Sequence, residues 1–273
     1  MKRSLSIAAL TAAAVLVLSA CGGSGGDDGN GAEGFQPVSG GKLTLCSDIP
    51  YEPFEFTDEN NETVGFDIDL AKKLSERLDL ELDVVTTGFE AIESGSALDT
   101  AQCDLALSGM SITEERATKF DFSHKYLLDN LGLMVTKESG ITSLDELKDK
   151  EVGAQQATTG ESYAQDAGAK VVQFEDSGLL TQAITSGQID AAVANLSTIY
   201  AATQASDKLE LAEDYDTDEA LGAGFKKGNT ELADEFNTML GEMFEDGSYD
   251  KLVEEWFGEV ADAAKVPEDQ RGS

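Results

Sequence analysis

Residues 101–112 read AQCDLALSGMSI, and residues 187–198 read GQIDAAVANLST. Each is a short apolar run that gives out into small polar residues, the profile of a buried strand ending at a turn. Laid side by side, Gln102 falls on Gln188, Asp104 on Asp190, Ala106 on Ala192, Gly109 on Asn195 and Ser111 on Ser197. Each copy also closes a strand–helix–strand–helix stretch. Before the first come strands at 42–47 and 80–86, flanking DIDLAKKLSERL (67–78), whose apolar residues at 68, 70, 71, 74 and 78 keep helical spacing. Before the second come a short helix in SLDELK (143–148), strands at 151–155 and 170–174, and helices in GESYAQDAGA (160–169) and GLLTQAITSG (178–187). Strands alternating with helices predict mainly parallel sheets covered on both faces. The repetition predicts two such lobes in an α/β protein.

A helical pattern follows at 229–257, with apolar residues at 232, 236, 239, 240, 243 and 244, and is expected to pack back on the first lobe. The connectors near 126–130 and 219–223 would then be two crossing strands, a hinge. The chain divides into residues 1–20 as a signal peptide, 21–41 as an anchored tether, and 42–126 as the first part of lobe one. Residues 127–223 form the hinge strands and lobe two, 224–258 the return to lobe one, and 259–273 a tail. The tail is read as a helix end followed by disorder.

The start of the chain carries Lys2 and Arg3 and then an apolar run, Leu5 to Leu18, short for a membrane span and suited to a signal peptide. It ends in Leu18-Ser19-Ala20-Cys21, which resembles a bacterial lipobox and predicts a lipidated Cys21. Attached acyl chains would hold the protein stably at the membrane. The Gly-, Ser- and Asp-rich segment at 22–41 cannot bury enough apolar surface to order itself.

Net charge is −34, and −36 once Lys2 and Arg3 leave with the signal (−34 − 2). Such a surface repels nucleic acid and offers no basic patch to a membrane, so contact with the bilayer is expected through the lipid alone. With Cys21 lipidated, Cys46 and Cys103 remain as a pair. An exported chain meets an oxidising compartment, which favours a disulfide between them. His124 is the only histidine, so no metal site is expected, and nothing in the sequence points to a cofactor.

In open α/β sheets, ligands sit beyond the C-terminal ends of the strands. Two facing lobes would aim Asp48, Gly109, Ser111, Thr158, Thr159 and Asn195 at one cleft. Arg116 follows the first echo strand, and outside the signal the chain holds only two other arginines, Arg77 and Arg271. A guanidinium matches a carboxylate with two charge-assisted hydrogen bonds. Its other reading is an ion pair with Glu114, Glu115 or Asp121. Thr158 and Thr159 open a helix, where free N–H groups attract anions and where a threonine also serves as a cap. Tyr51, Phe54, Phe56 and Phe89 would flank a side chain or fill the core.

The blocks SGMSITEERATKFDFSHKY (108–126), DIPYEPFEFTDENNETVGFDIDLAKKL (48–74), VGAQQATTGESYA (152–164) and GQIDAAVANLSTIY (187–200) resemble the polar amino-acid substrate-binding proteins of ABC importers. The resemblance spans roughly residues 41–258. It is similar to the glutamine-, histidine- and lysine/arginine/ornithine-binding proteins, in the lipid-anchored form. The resemblance implies a monomeric, two-lobed periplasmic-binding-protein fold of type II, no catalysis, and a membrane permease as partner. It also implies that Arg116 clamps an α-carboxylate with Ser111 and the Thr159 amide. Carbonyls near Ser108 and Gly109 would accept from the ammonium. Tyr51 and Phe89 would flank the side chain, with Asp48 and Gln155 at its polar end. A glutamine- or glutamate-like ligand is expected, and a cyclohexadienyl dehydratase-like enzyme is the alternative. Two positions depart from the family: Asn195 stands where an aspartate is usual, and Ala157 where glycine is favoured.

Overall fold

The computed structural model describes residues Phe35–Gly272. The signal peptide, Cys21 and most of the tether lie outside the described residues.

Two five-stranded sheets share one plan. The first has the order Glu81–Thr86, Lys42–Ser47, Leu105–Ala106, Gly224–Phe225, Asp121–Phe122. The second has the order Lys170–Phe174, Glu151–Gln155, Ala191–Asn195, Leu131–Thr136, Leu209–Tyr215. The two echo strands, Leu105–Ala106 and Ala191–Asn195, hold the same third place. In both sheets the first three strands pair in parallel, the fourth is antiparallel to both its neighbours, and the fifth runs in the same direction as the first three. The parallel part is built from strand–helix–strand units, as expected. The single antiparallel strand, the fourth, comes each time from chain crossing between the lobes, so each sheet is mainly parallel with one reversed strand. Leu127–Leu128 and Ala220–Leu221 pair antiparallel where the two crossings meet.

The interior strand Lys42–Ser47 is buried along most of its length, which is why its sequence reads as a continuous apolar run instead of an alternation. Beside it the helix Phe66–Arg77 buries Ile68, Leu70, Ala71 and Leu74. Gly65 starts that helix at φ 137°, and a Cβ there would lie 2.0 Å from the Phe54 carbonyl oxygen. Only glycine fits. The returning helix Thr230–Asp246 buries Leu232, Phe236, Met239 and Leu240 in the same core as Leu70 and Leu74. Arg77 adds ion pairs to Glu235 and Glu242 at 2.7 and 2.8 Å. SLDELK forms a 3₁₀ turn, Leu144–Leu147, rather than an α-helix.

Both ends of the folded chain are more ordered than expected. Phe35, assigned to the tether, is buried in the first core, and the Val38 N–H donates to Asp104 at 2.8 Å. Through Gly272 the tail packs on the fold. Ala261–Ala264 is helical, Val266 is fully buried, and Arg271 pairs with Asp250 at 2.8 Å while lying over the Phe244 and Tyr249 rings. A few spaced apolar residues suffice to dock a short segment onto an existing core. Composition alone misses this.

The Cys46 and Cys103 sulfur atoms are bonded, with Cα atoms 5.6 Å apart. Among the described residues no helix is long and apolar enough to cross a membrane. No group of three His, Cys, Asp or Glu side chains among them is placed to hold a metal.

Candidate functional site

Asp48, Tyr51, Phe89, Ser108, Gly109, Ser111, Arg116, Gln155, Thr158, Thr159 and Asn195 line one small cavity between the lobes, of about 20 Å³. They come from both sides: Asp48 through Arg116 from lobe one, Gln155 through Asn195 from lobe two. Most sit where strands of the two sheets end, facing each other across the cleft.

Arg116 lies in the short helix Glu114–Lys119, whose cap, the Thr113 hydroxyl, accepts the Arg116 N–H at 3.1 Å. Its side chain turns inward and is only 5% exposed. One Nη donates to the Ser111 carbonyl at 2.9 Å, and the other crosses to the Ala157 carbonyl in lobe two at 3.0 Å. The Phe89 ring centroid is 5.2 Å from its Cζ. Among the described residues no carboxylate comes within ion-pair distance of it. Glu115 pairs with Lys119 and Asp121 with Lys227 instead. Burial depresses the pKa of Arg116, yet a guanidinium stays protonated in proteins. The cavity wall thus carries a buried positive charge that no carboxylate touches directly, with Glu93, Glu219 and Glu115 acting on it from farther off.

At the other end, Gln155 Nε2 donates to Asp48 Oδ2 at 2.6 Å, joining the lobes. Burial raises the Asp48 pKa to about 7, the Gln155 bond opposes this, and Asp176 and Glu175 add to it. The Asp48 N–H donates to Ser108 Oγ at 3.1 Å, and Ser108 Oγ donates to Glu55 Oε1 at 2.5 Å. The Gly109 N–H donates to Asp67 Oδ2 at 2.8 Å. Two buried carboxyl groups, Glu55 and Asp67, therefore hold the Ser108–Gly109 loop from behind. Burial pushes both upward in pKa, Asp67 to about 7. Gly109 has φ +50°, and a Cβ there would stand 2.5 Å from the Tyr51 ring.

Tyr51 donates its hydroxyl to Asn195 Oδ1 at 3.2 Å, across the cleft, and Asn195 Nδ2 donates to the Asp129 carbonyl at 2.8 Å. The amide orientation follows from these two bonds. Thr158 is the cap of the helix Thr159–Asp166: its hydroxyl accepts the Glu161 N–H and donates to the Gln155 carbonyl. It lines the cavity while its hydroxyl serves the fold. Phe54 is a core residue with no exposure, and Phe56 packs edge-on against Trp256, so neither faces the cavity. His124 is half-buried outside the site. Ala157 adopts φ 63°, which explains why glycine suits that position.

Sequence reasoning missed the acidic residues behind the cavity: Glu55, Asp67, Asp129 and Glu219. The carboxylate of Glu219 accepts from Ser111 Oγ at 2.5 Å and from Thr159 Oγ1 at 2.8 Å. No local signal marks it, since it stands among other acids in DYDTDEA (214–220).

The chain is 33% identical over 254 residues to the arginine-binding extracellular protein of Bacillus subtilis, covering 91% of this chain and 95% of that one. An ancestral arginine-binding protein has been solved with arginine (36% identity, TM-score 0.73) and with glutamine (35%, 0.74). In both cases 80% of this chain and 99% of the other are covered. An ancestral amino acid-binding protein, described as a precursor of cyclohexadienyl dehydratase, superposes with TM-score 0.71 at 36% identity over 80% of this chain and 95% of its own. Residues 43–259 match the family model described as bacterial extracellular solute-binding proteins, family 3, and the chain belongs to that family.

Proposed function

We propose that this protein captures a polar amino acid outside the cytoplasm and hands it to the membrane permease of an ABC importer. The observation that carries the reading is Arg116, a buried cation with no carboxylate in ion-pair contact among the described residues. An unpaired buried charge is costly, and a ligand carboxylate removes that cost while forming charge-assisted bonds. The Ser111 and Thr159 backbone N–H groups complete the anion site. Carbonyls at Ser108 and Gly109, with Asn195 Oδ1, receive the ammonium. Tyr51 and Phe89 flank the side chain, and Asp48 with Gln155 takes its end.

Asp48 lies near Glu175 and Asp176 and is itself acidic, so a ligand with an acidic side chain is disfavoured. Glutamine remains a fit for the Asp48–Gln155 pair. Arginine fits better, because a cationic end would ionise Asp48 and pair with it. The lobes shut around the ligand on the paired strands Leu127–Leu128 and Ala220–Leu221, and the ligand biases closure only by its differential affinity for the closed form. A monomer tethered by lipid at Cys21 completes the proposal.

A second reading is favoured by one observation: Asp48, raised to about 7, has the pKa of a general acid, as a dehydratase of prephenate or arogenate would need. A thermal-shift screen of the twenty amino acids plus prephenate and arogenate, followed by calorimetry, separates the two. A shift with arginine or glutamine and no turnover supports capture. Turnover of prephenate or arogenate, or no shift with any amino acid, overturns it.

A further inference from the structure

Ser111 and Thr159 are the two hydroxyl residues at the anion end of the cavity, one in each lobe. Both donate to the same oxygen, Oε2 of Glu219. Glu219 belongs to neither sheet. It precedes the hinge strand Ala220–Leu221, its N–H donates to Asn130 Oδ1 at 3.1 Å, and its carbonyl accepts the Asp129 N–H at 3.0 Å. Its backbone is thus fixed on the hinge while its carboxylate reaches into the seam between the lobes.

We propose that Glu219 is a positioning residue that ties the lobes together through Ser111 and Thr159, slowing ligand release. The inference rests on the amino-acid capture reading for its kinetic part only. Each hydroxyl has one proton, and here both protons point at Glu219. The ligand carboxylate is therefore received by Arg116 and backbone N–H groups, and the hydroxyls serve closure instead. Opening the cleft pulls Ser111 away from Thr159, so at least one of the two bonds to Glu219 must break. The tie needs no ligand contact, so its loss acts on the opening of the cleft directly.

The test pairs stopped-flow release of L-arginine with X-ray scattering of the ligand-free protein. Glu219→Ala is expected to speed release about tenfold, the scale of one hydrogen bond to a charged group, and to raise the radius of gyration of the empty protein. Glu219→Gln keeps an acceptor oxygen in place and should stay within about threefold of wild type, on the scale of a neutral hydrogen bond. In a Ser111→Ala/Thr159→Ala background, adding Glu219→Ala should leave the scattering unchanged. Release and scattering like wild type in Glu219→Ala would overturn the tie. So would a failed rescue by glutamine, or an added expansion in the double-alanine background. If the wild type binds no amino acid, the capture reading fails, and the ligand-free scattering still decides the tie.

Discussion

Replacing Arg116 by methionine tests the anion site most directly. Methionine keeps much of the buried volume and removes the charge, so packing is changed little. Truncating one partner of a buried, hydrogen-bonded charge pair costs about 2–5 kcal/mol in binding. At 1.4 kcal/mol per tenfold, that is roughly a 30- to 4,000-fold rise in Kd. Stability should move far less. In the empty protein the guanidinium bonds only two carbonyls, Ser111 and Ala157, with no carboxylate lost on substitution. Two such bonds contribute roughly 1–3 kcal/mol each, and release from burying a charge offsets much of this. The assay is calorimetry with L-arginine and L-glutamine, beside the melting temperature of the ligand-free protein. Binding within threefold of wild type in the methionine variant would refute the reasoning. A collapse in the ligand-free melting temperature would show that Arg116 serves the fold first.

Three further outcomes follow from the same geometry. Asn195→Asp should tighten binding of a zwitterion about tenfold, the worth of one charge-assisted bond, by calorimetry. It should also lower the ligand-free melting temperature, because a carboxylate cannot donate to the Asp129 carbonyl as Asn195 Nδ2 does. Asp48 has a folded pKa of about 7 against 3.8 unfolded, so its burial weakens the ligand-free protein as pH rises from about 4 to 7 and fully above that. Asp48→Asn should therefore flatten the melting-temperature profile between pH 5 and 8, and equal slopes would dismiss the assignment. Over the same range the wild type should bind L-arginine more tightly as pH rises, with L-glutamine much less affected. Gly178 in lobe two faces Pro50 of lobe one so closely that a Cβ would lie 2.6 Å from the proline Cγ. Gly178→Val should obstruct closure and weaken L-arginine binding by calorimetry while the melting temperature of the empty protein holds; unchanged binding would mean that the lobes need not meet there.

The sequence alone determined the local architecture and much of the cavity wall. The echo of 101–112 in 187–198 shows why: a buried strand must be apolar along its length, and its end must turn polar where the cleft begins. That pattern survives in one dimension, so Ser108, Gly109, Ser111 and Asn195 were legible as strand-end residues. Arg116 was legible as a rare arginine beside one of them, but whether it paired with its neighbours or waited for a ligand was not. Helical spacing placed 230–246 against lobe one for the same reason, since an apolar stripe must find a core.

Only the tertiary structure decided the rest. The one reversed strand in each sheet depends on which strands cross between lobes, and direction of pairing leaves no trace in composition. The docked tail, with Val266 and Arg271 on a core built some twenty residues and more upstream, depends on contacts that composition does not encode. Glu219, Asp129, Glu55 and Asp67 read as four acids among fifty-three. What distinguishes them is burial and the donors brought to them from far along the chain: Ser111 and Thr159, Ser197, Ser108, Gly109 and Tyr126. Charge acquires its meaning from desolvation and partners, and both exist only once the chain has folded.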